Sequence, residues 1–258
     1  LGRGERGGAS LAVPAGGDLV KERFADGSRN RAGLYDTIDH SNGSVTHTDG
    51  SRAGTNKFNA YTFGGYWTHY GANNGYIDAV MQGTWYTARS GSGQMADLKT
   101  DAFGFAASVE AGYPFQLRDR WILEPQAQLV YQGISVDASS DAAAEVRFGN
   151  ANSLAGRAGA RLARTWALDE GMHPRLLTAW LRGNVWREFS ANPRTLVSSQ
   201  EGFVPFHSNL RGTWYEVTAG VSAQVSRKTS IYANLGYQKA FGSGIQAVNG
   251  TVGVRVNW

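Results

Sequence analysis

The sequence predicts an all-β fold: a single transmembrane, antiparallel, up-and-down β-barrel. Three observations favour this fold class: apolar and polar residues alternate over long spans, short and long connections alternate between the spans, and aromatic residues collect near the span ends. The composition agrees, because 34 of the 258 residues are glycine and only 18% are charged. An average protein has roughly 7% glycine and about 25% charged residues. With 41% apolar and 12% aromatic residues, the chain is too apolar to be disordered.

Alternation of apolar and polar residues marks the strands. Within the predicted strand 101–115, residues 102–113 carry phenylalanine, alanine, valine and tyrosine at odd positions and glycine, alanine, serine and glutamate at even positions, which is the period of a β-strand. A soluble strand typically has ~5–6 residues, whereas a tilted membrane-spanning strand needs ~9–11. The pattern predicts nine long strands after residue 60: 60–70, 75–86, 101–115, 121–133, 154–166, 174–189, 214–225, 229–240 and 247–258.

The first part of the chain has a weaker pattern. Residues 31–36 offer a tenth strand, and we assign residues 31–258 to the barrel. Residues 1–30 are predicted to form an N-terminal segment that holds further strands or a short helix near residues 18–24. Asp18 is the expected cap of this helix.

The connections orient the barrel. Outer-membrane barrels have short periplasmic turns and longer extracellular loops, so the short turn 226–228 is expected on the periplasmic side. The long connections 87–100, 135–153 and 190–212 then face the outside, and 190–212, the longest, is the candidate for contacting an exported segment. Aromatic residues near strand ends are expected to form the membrane-boundary girdles: Tyr70, Tyr86, Phe115, Trp121, Trp166, Phe189, Trp214, Phe241 and Trp258.

Several functional classes lack the residues they need. The chain has no cysteine, which excludes disulfides and thiol catalysis. Its net charge of +4 comes from scattered residues, so we expect no nucleic-acid partner. The five histidines have no metal-ligand spacing, and we expect no metal and no cofactor. An outer-membrane hydrolase would depend on Asp137, Asp141 and His207, a weak signal because such residues are common in loops.

The polar face of the strands carries the candidate site. We predict that Asp78, Glu110 and Glu124 are lumen acids, the candidate catalytic residues if any act on a threaded segment. A charge-balanced, solvated pore lining is the simpler interpretation, and both stay open. The remaining predicted pore-lining residues are Gln126, Gln128, Arg157, Arg161, Arg182, Glu188 and Glu216.

The last strand alternates until its final residue. Val252, Val254, Val256 and Trp258 share one face, and such a strand can pair by edge addition while presenting apolar side chains to lipid. We interpret these residues as an assembly signal; an ordinary edge strand is the alternative.

Particular motifs resemble the translocator β-domains of pertactin/AIDA-type autotransporters, which belong to type V secretion. They are YTFGGYWTHY from Tyr61, GYIDAVMQGTWY from Gly75, LEPQAQL from Leu123, NVWREF from Asn184 and VRVNW from Val254.

The resemblance implies a 12-stranded barrel with an N-terminal helix in the pore, monomeric and located in the bacterial outer membrane. Its partners would be outer-membrane lipid, its own N-terminal passenger segment and the barrel-assembly machinery. Its function would be to help export and anchor that passenger; the alternatives are a passive porin-like channel and a hydrolase. Some relatives cleave the passenger junction between two asparagines inside the barrel, whereas no Asn-Asn pair precedes the predicted strands here.

Overall fold

The computed structural model of the chain covers most of its length. It describes residues 6–46, 52–92, 95–140, 145–149, 151–169, 175–191, 194–199, 202–207, 210–226, 228–242 and 244–256.

Sixteen strands follow one another along the described residues, with a single 3-10 turn at Arg118–Arg120. In chain order they are β1 Arg6–Arg23, β2 Arg29–Thr46, β3 Arg52–Tyr70, β4 Tyr76–Ser92, β5 Met95–Gly112, β6 Phe115–Gln116, β7 Trp121–Val136, β8 Ser139–Ser140, β9 Glu145–Phe148, β10 Ala151–Ala167, β11 Leu176–Glu188, β12 Arg194–Ser199, β13 Gly202–His207, β14 Gly212–Gln224, β15 Thr229–Ala240 and β16 Gln246–Val256.

Twelve of the strands form one antiparallel sheet, which confirms the predicted fold class and strand count. Eleven long strands pair in the order β1-β2-β3-β4-β5-β7-β10-β11-β14-β15-β16, and the two-residue β6 pairs with β7. The sheet curls as a half-barrel. In the described part of the chain β1 and β16 are each paired along one side only, and they run in the same direction because strand directions alternate.

The predicted helix near residues 18–24 is wrong. These residues lie in β1 and in the turn that follows it, and Val20 pairs with Ala32 of β2. The register shifts between Asp18 and Val20, which hides the alternation that would have marked the strand. Asp18 caps no helix; it accepts a hydrogen bond from Tyr66 and forms an ion pair with Lys21 at 3.0 Å.

The two ends of the sheet differ. At one end, here called the turn end, strands are joined by tight turns such as Phe24–Ser28, where the Phe24 N–H donates to the Ser28 carbonyl at 2.9 Å. At the other, the loop end, strands project further than predicted. Residues 87–100 are not a long loop, because β4 continues to Ser92 and β5 begins at Met95.

A second sheet lies at the loop end. Connections 135–153 and 190–212, predicted as loops, contribute strands to one four-stranded sheet in the order β13-β12-β9-β8. The two connections are joined by pairing of β12 with β9, from Thr195 opposite Phe148 to Val197 opposite Val146.

Burial in the large sheet is the reverse of that in a water-soluble protein. Large apolar side chains are exposed, including Val252 at 85%, Leu235 at 63% and Met81 at 58%. Polar residues are buried instead: Ser28, Thr62, Thr68, Thr84, Gln126, Arg157, Asn184, Glu188 and Thr218. Monomeric soluble proteins rarely expose a continuous apolar surface of this kind, whereas a barrel in lipid requires an apolar outer band.

The aromatic girdles differ in part from the prediction. Tyr70 lies opposite Tyr76, and the Trp214 ring stacks on that of Trp186 with an interplanar angle of 2°, both on the polar face. Tyr86 also lies on the polar face, beside Gly104. The residues of the apolar face that mark its loop-end boundary are Tyr61, Trp85 and Phe103, which the register places side by side.

No helix among the described residues is long and apolar enough to cross a membrane.

Candidate functional site: the polar face of the sheet

The polar face is concave, because its side chains reach across an intervening strand. Tyr35 of β2 donates to Gln82 of β4 at 2.6 Å, and its ring passes over Gly64 of β3. A Cβ atom at Gly64 would lie 2.5 Å from that ring. The glycines of this face therefore make room for the rings of neighbouring strands.

Glu110 holds the first cluster on this face together. Its carboxylate accepts hydrogen bonds from the Tyr76 hydroxyl at 2.6 Å and from the Arg157 guanidinium. The Arg157 side chain is 3% exposed and that of Glu110 is 20% exposed. Gln128 lies between them on β7, opposite both residues in the register. The guanidinium of Arg157 is thus neutralised by a carboxylate two strands away.

Glu216 organises a second cluster. It accepts hydrogen bonds from Trp186 Nε1 at 3.1 Å, Asn184 Nδ2 at 3.2 Å, Thr218 Oγ1 at 3.1 Å and Arg182 Nη2 at 3.4 Å. The clusters meet at Trp186, because the Arg157 guanidinium carbon lies 5.4 Å from the centroid of its ring. A continuous polar network thus extends from β4 to β14.

The three predicted lumen acids line one cavity of about 400 Å³. Asp78 accepts a hydrogen bond from Thr68, and Glu124 accepts one from Gln126 at 2.6 Å. Arg29 of β2 is the cation in this lining, and its guanidinium carbon lies 4.4 Å from the centroid of the Tyr70 ring. The sequence missed Arg29, although it precedes the predicted tenth strand by only two residues.

The remaining predicted residues also lie on this face, with different surroundings. Arg161 is opposite Glu124 and Arg182 in the register, and its guanidinium carbon lies 5.5 Å from the centroid of the Trp180 ring. Glu188 ends β11 and accepts four hydrogen bonds, from Ser153 Oγ and from the N–H groups of Leu154, Ser190 and Ala191. Its carboxylate fixes the start of connection 190–212. Pore lining by these residues stays a prediction.

Four buried polar atoms on the concave face have no hydrogen-bond partner in the described part of the chain. They are Gln126 Oε1, Arg157 Nε, Arg182 Nε and Asn184 Oδ1. Buried polar groups normally have partners, and ordered water supplies many of them. The concave face can therefore accept further hydrogen-bonding groups.

The proposed assembly signal lies at the edge of the sheet. Val252, Val254 and Val256 alternate on the outer face of β16 and are 85%, 64% and 52% exposed. Trp258 lies outside the described residues.

Other proteins share this architecture. The sequence profile of the autotransporter beta-domain family matches residues 10–236. The chain belongs to this family. The resemblance seen in the sequence motifs is confirmed.

Two curated autotransporters show how this β-domain compares with full-length relatives. It is 29% identical over 235 residues to the adhesin BmaC autotransporter of Brucella suis, covering 88% of this chain and 7% of that protein. It is 28% identical over 209 residues to the pertactin autotransporter of Bordetella bronchiseptica, covering 78% of this chain and 22% of that protein. The chain thus spans less than a quarter of the length of these relatives.

Solved structures of the autotransporter family have the same fold. The transport unit of AIDA-I from Escherichia coli superposes with a TM-score of 0.79 at 18% identity, covering 99% of this chain and 84% of that one. The β domain of the Bordetella autotransporter Brka superposes with a TM-score of 0.68 at 20% identity, covering 97% and 92%. At these identities the likeness shows the fold alone.

Sequence reasoning missed several members of the polar network of this β-domain: Tyr76, Asn184, Trp186 and Thr218. Their positions in the strands were a usable signal, because each is an even number of residues from a predicted site residue on its own strand. They are uncharged, however, and the prediction followed charges. Of the weak hydrolase candidates, Asp137 directly follows β7, His207 ends β13, and Asp141 lies outside the described residues.

Proposed function

We propose that this β-domain is the outer-membrane translocator and anchor of an N-terminal passenger, which passes through or alongside its pore. Autotransporter β-domains occur in the outer membrane of Gram-negative bacteria and have a passenger of their own. The observation that carries the proposal is the inverted burial: an apolar outer face and a concave face of hydrogen-bonding groups. A polypeptide in contact with that face need not expose unpaired backbone groups to lipid.

Cysteine cross-linking in the full-length precursor tests the path of the passenger. These 258 residues contain no cysteine, so a single thiol introduced among them reports one position of the β-domain. Gln128→Cys lies on the concave face, and Leu129→Cys is its matched control on the outer face. With a second cysteine at the carboxyl end of the passenger, we expect a cross-link during export to Gln128→Cys alone. Equal cross-linking at both positions, or at neither, would contradict contact with the concave face.

The alternative function, a porin-like channel, is favoured by the four buried polar atoms without partners, because water could satisfy them. Planar-bilayer recordings on the full-length protein separate the two. A translocator occupied by a polypeptide gives a small or blocked current, whereas a large and stable conductance would favour the channel.

Connection 190–212 is proposed to contact the emerging passenger. Its hairpin of β12 and β13 pairs with β9, so it is part of a sheet rather than a loose loop. Replacing residues 192–209 by a short glycine-serine linker should leave a heat-modifiable barrel but reduce protease-accessible passenger at the cell surface. Unchanged display of the passenger would show that connection 190–212 is not needed for contact with it.

Asp78, Glu110 and Glu124 are the residues we propose for contact with the passenger junction, and for its cleavage if the precursor is processed. Their common cavity supports the proposal. Asp78→Asn and Glu124→Gln should then leave the precursor uncleaved on an immunoblot while surface display continues. Processing at the normal rate in both variants would exclude these two carboxylates.

The exposed valines of β16 support a proposal that the barrel-assembly machinery recognises this strand by edge pairing.

A further inference from the structure

Three cations stand side by side on the outer face of the large sheet. Lys57 of β3 is directly opposite Arg89 of β4, and Arg89 is directly opposite Lys99 of β5. All three side chains are exposed. Residues directly opposite in an antiparallel pair have Cβ atoms about 4.5–5.5 Å apart and project from the same face. We call these three residues the basic row.

The basic row lies just beyond the apolar band at the loop end. Four residues closer to the middle of the sheet, the register places Tyr61, Trp85 and Phe103 side by side on the same face. Four residues of strand span roughly 13 Å. Because barrel strands are tilted, the separation of the two rows along the barrel axis is shorter than this. Lysine and arginine side chains are long enough to cover part of the distance between the row and the edge of the apolar band.

Like charges directly opposite each other destabilise a sheet. The row has two such contacts, with Arg89 in the middle. Asp101 is an acidic neighbour on the same face, and its carboxylate lies 3.9 Å from Lys99 Nζ with both side chains more than half exposed. Screening by water makes this ion pair weak, and it lies at the Lys99 end of the row, whereas the register places Asn42 and Arg89 opposite Lys57. An anion with several oxygens could neutralise the whole row.

We propose that the basic row binds the phosphate of a lipid headgroup in the membrane leaflet at the loop end. A phosphate suits the row because arginine binds it through two parallel hydrogen bonds, and lysines add charge on either side. A lipid suits it better than free phosphate because its acyl chains would lie on the apolar band below, against Trp85 and Phe103. The inference rests on the proposed location of the domain in the outer membrane.

Lipid binding to the full-length protein in detergent micelles tests the proposal. The probes are lipid A carrying its phosphates, lipid A with the phosphates removed, and inorganic phosphate. We expect phosphorylated lipid A to bind and the other two to bind at least tenfold more weakly. Inorganic phosphate that binds as tightly as lipid A would show an anion site without lipid specificity and would overturn the proposal, as would equal binding of both lipids.

Variants then locate the site. Because one basic residue at a membrane surface contributes about a fivefold change in affinity, Arg89→Gln should weaken binding about fivefold and the triple change to glutamine at Lys57, Arg89 and Lys99 about a hundredfold. Lys239→Gln is the matched control. Lys239 is exposed on the outer face of β15 at the loop end, but Tyr215 and Gln246, not cations, are opposite it.

The results separate this inference from the proposed function. Equal losses for Arg89→Gln and Lys239→Gln would mean a diffuse charge effect and would overturn the basic row as a site. Passenger display measured in the same variants reports on translocation, which the row is not required to support. If the unaltered full-length protein binds phosphorylated lipid A but does not display its passenger, that result counts against the proposed function alone.

Discussion

The side chains of Glu110 and Arg157 have an unusual location for two charges. They meet across β7 on the concave face, and the Arg157 side chain is nearly inaccessible to solvent. A buried ion pair contributes little compared with a matched apolar pair, but removing one partner leaves the other charge uncompensated. A strand register that separated the two side chains would therefore leave the Arg157 charge without its carboxylate.

Glu110→Gln should destabilise the folded domain by about 3 kcal/mol, because the Arg157 charge loses its carboxylate in a site that excludes water. Glu110→Gln combined with Arg157→Gln should recover much of that loss. Urea unfolding in detergent, followed by the loss of heat-modifiable mobility on a gel, measures both. Equal losses in the single and double variants would mean that the two charges are not coupled. Glu124→Gln is the control, since Glu124 accepts a neutral hydrogen bond from Gln126.

The close approach of Tyr76 to Gly112 gives a second prediction for single residues. A Cβ atom at Gly112 would lie 2.6 Å from Cε1 of the ring, so Gly112→Ala should displace Tyr76 and break its hydrogen bond to Glu110. We expect a loss of about 1–3 kcal/mol, typical of overpacking. Gly250→Ala is the control, because its Cβ atom would be no nearer than 3.5 Å to its neighbours. The same unfolding assay should give an unchanged midpoint for the control.

Among the elements, the turn between β1 and β2 depends on one carboxylate. Hydrogen bonds from the Ser28 hydroxyl at 2.7 Å and the Ser28 N–H at 2.9 Å hold the pKa of Asp26 below its usual range. Gly27 occupies the left-handed region with φ of 89°, where most other residues are strained.

The lowered pKa of Asp26 predicts how this turn responds to acid. Because the folded-state pKa is below the unfolded-state value, the stabilisation is present above about pH 4 and is lost as the pH falls through the folded-state pKa. Hydrogen exchange at the Ser28 amide, corrected for its intrinsic rate, should show protection that declines only under those acidic conditions. Asp26→Asn keeps an acceptor that does not titrate, so its protection should stay flat over the same pH range. A parallel decline of protection in both proteins would show that titration of the Asp26 carboxyl group does not cause the loss.

The strands were predictable where one face of the sheet is apolar and the other polar, because apolar and polar residues then alternate along the sequence with a period of two. The loop-end portions of β4 and β5 were missed for the same reason. Residues 87–100 are mostly polar or small on both faces, as expected of strands that project into water, so no alternation marked them. The pairing of β9 with β12 joins distant segments, and no local pattern reports it.

For the molecule as a whole, we expect the destabilisation caused by an introduced charge to depend on the face of the sheet on which it lies. Val252 and Thr251 are adjacent on β16 and project from opposite faces. Val252→Lys places a charge in the apolar band and should destabilise the domain in lipid vesicles by about 2–4 kcal/mol if it lies near the middle of the membrane. Thr251→Lys should cost less than about 1 kcal/mol. Similar losses for both variants would contradict the assignment of an outer, lipid-facing side.

The sequence predicts which face of the sheet carries the candidate site residues, but not which of them form hydrogen bonds with one another. The period of two in the sequence predicts that Asp78, Glu110 and Glu124 lie on the polar side of their strands. In the register Asp78 is directly opposite Glu110, and Glu124 is opposite Arg161. The partnership of Glu110 with Arg157 depends on the curvature of the sheet, which brings side chains two strands apart within hydrogen-bonding distance. Curvature is a property of the assembled sheet, and no single stretch of sequence encodes it.

The shared direction of β1 and β16 restricts what can cover the two outer edges of the sheet. The N–H and C=O groups along these two edges have no strand partner among the described residues, and groups left unpaired in hydrocarbon are costly. A second copy of the domain placed beside the first would bring β16 against β1 in parallel and would still leave two edges open. One additional strand running from the turn end to the loop end would be antiparallel to both and could close the ring. Because the described residues form an odd number of long strands, a strand that is antiparallel to both edges must run from the turn end to the loop end.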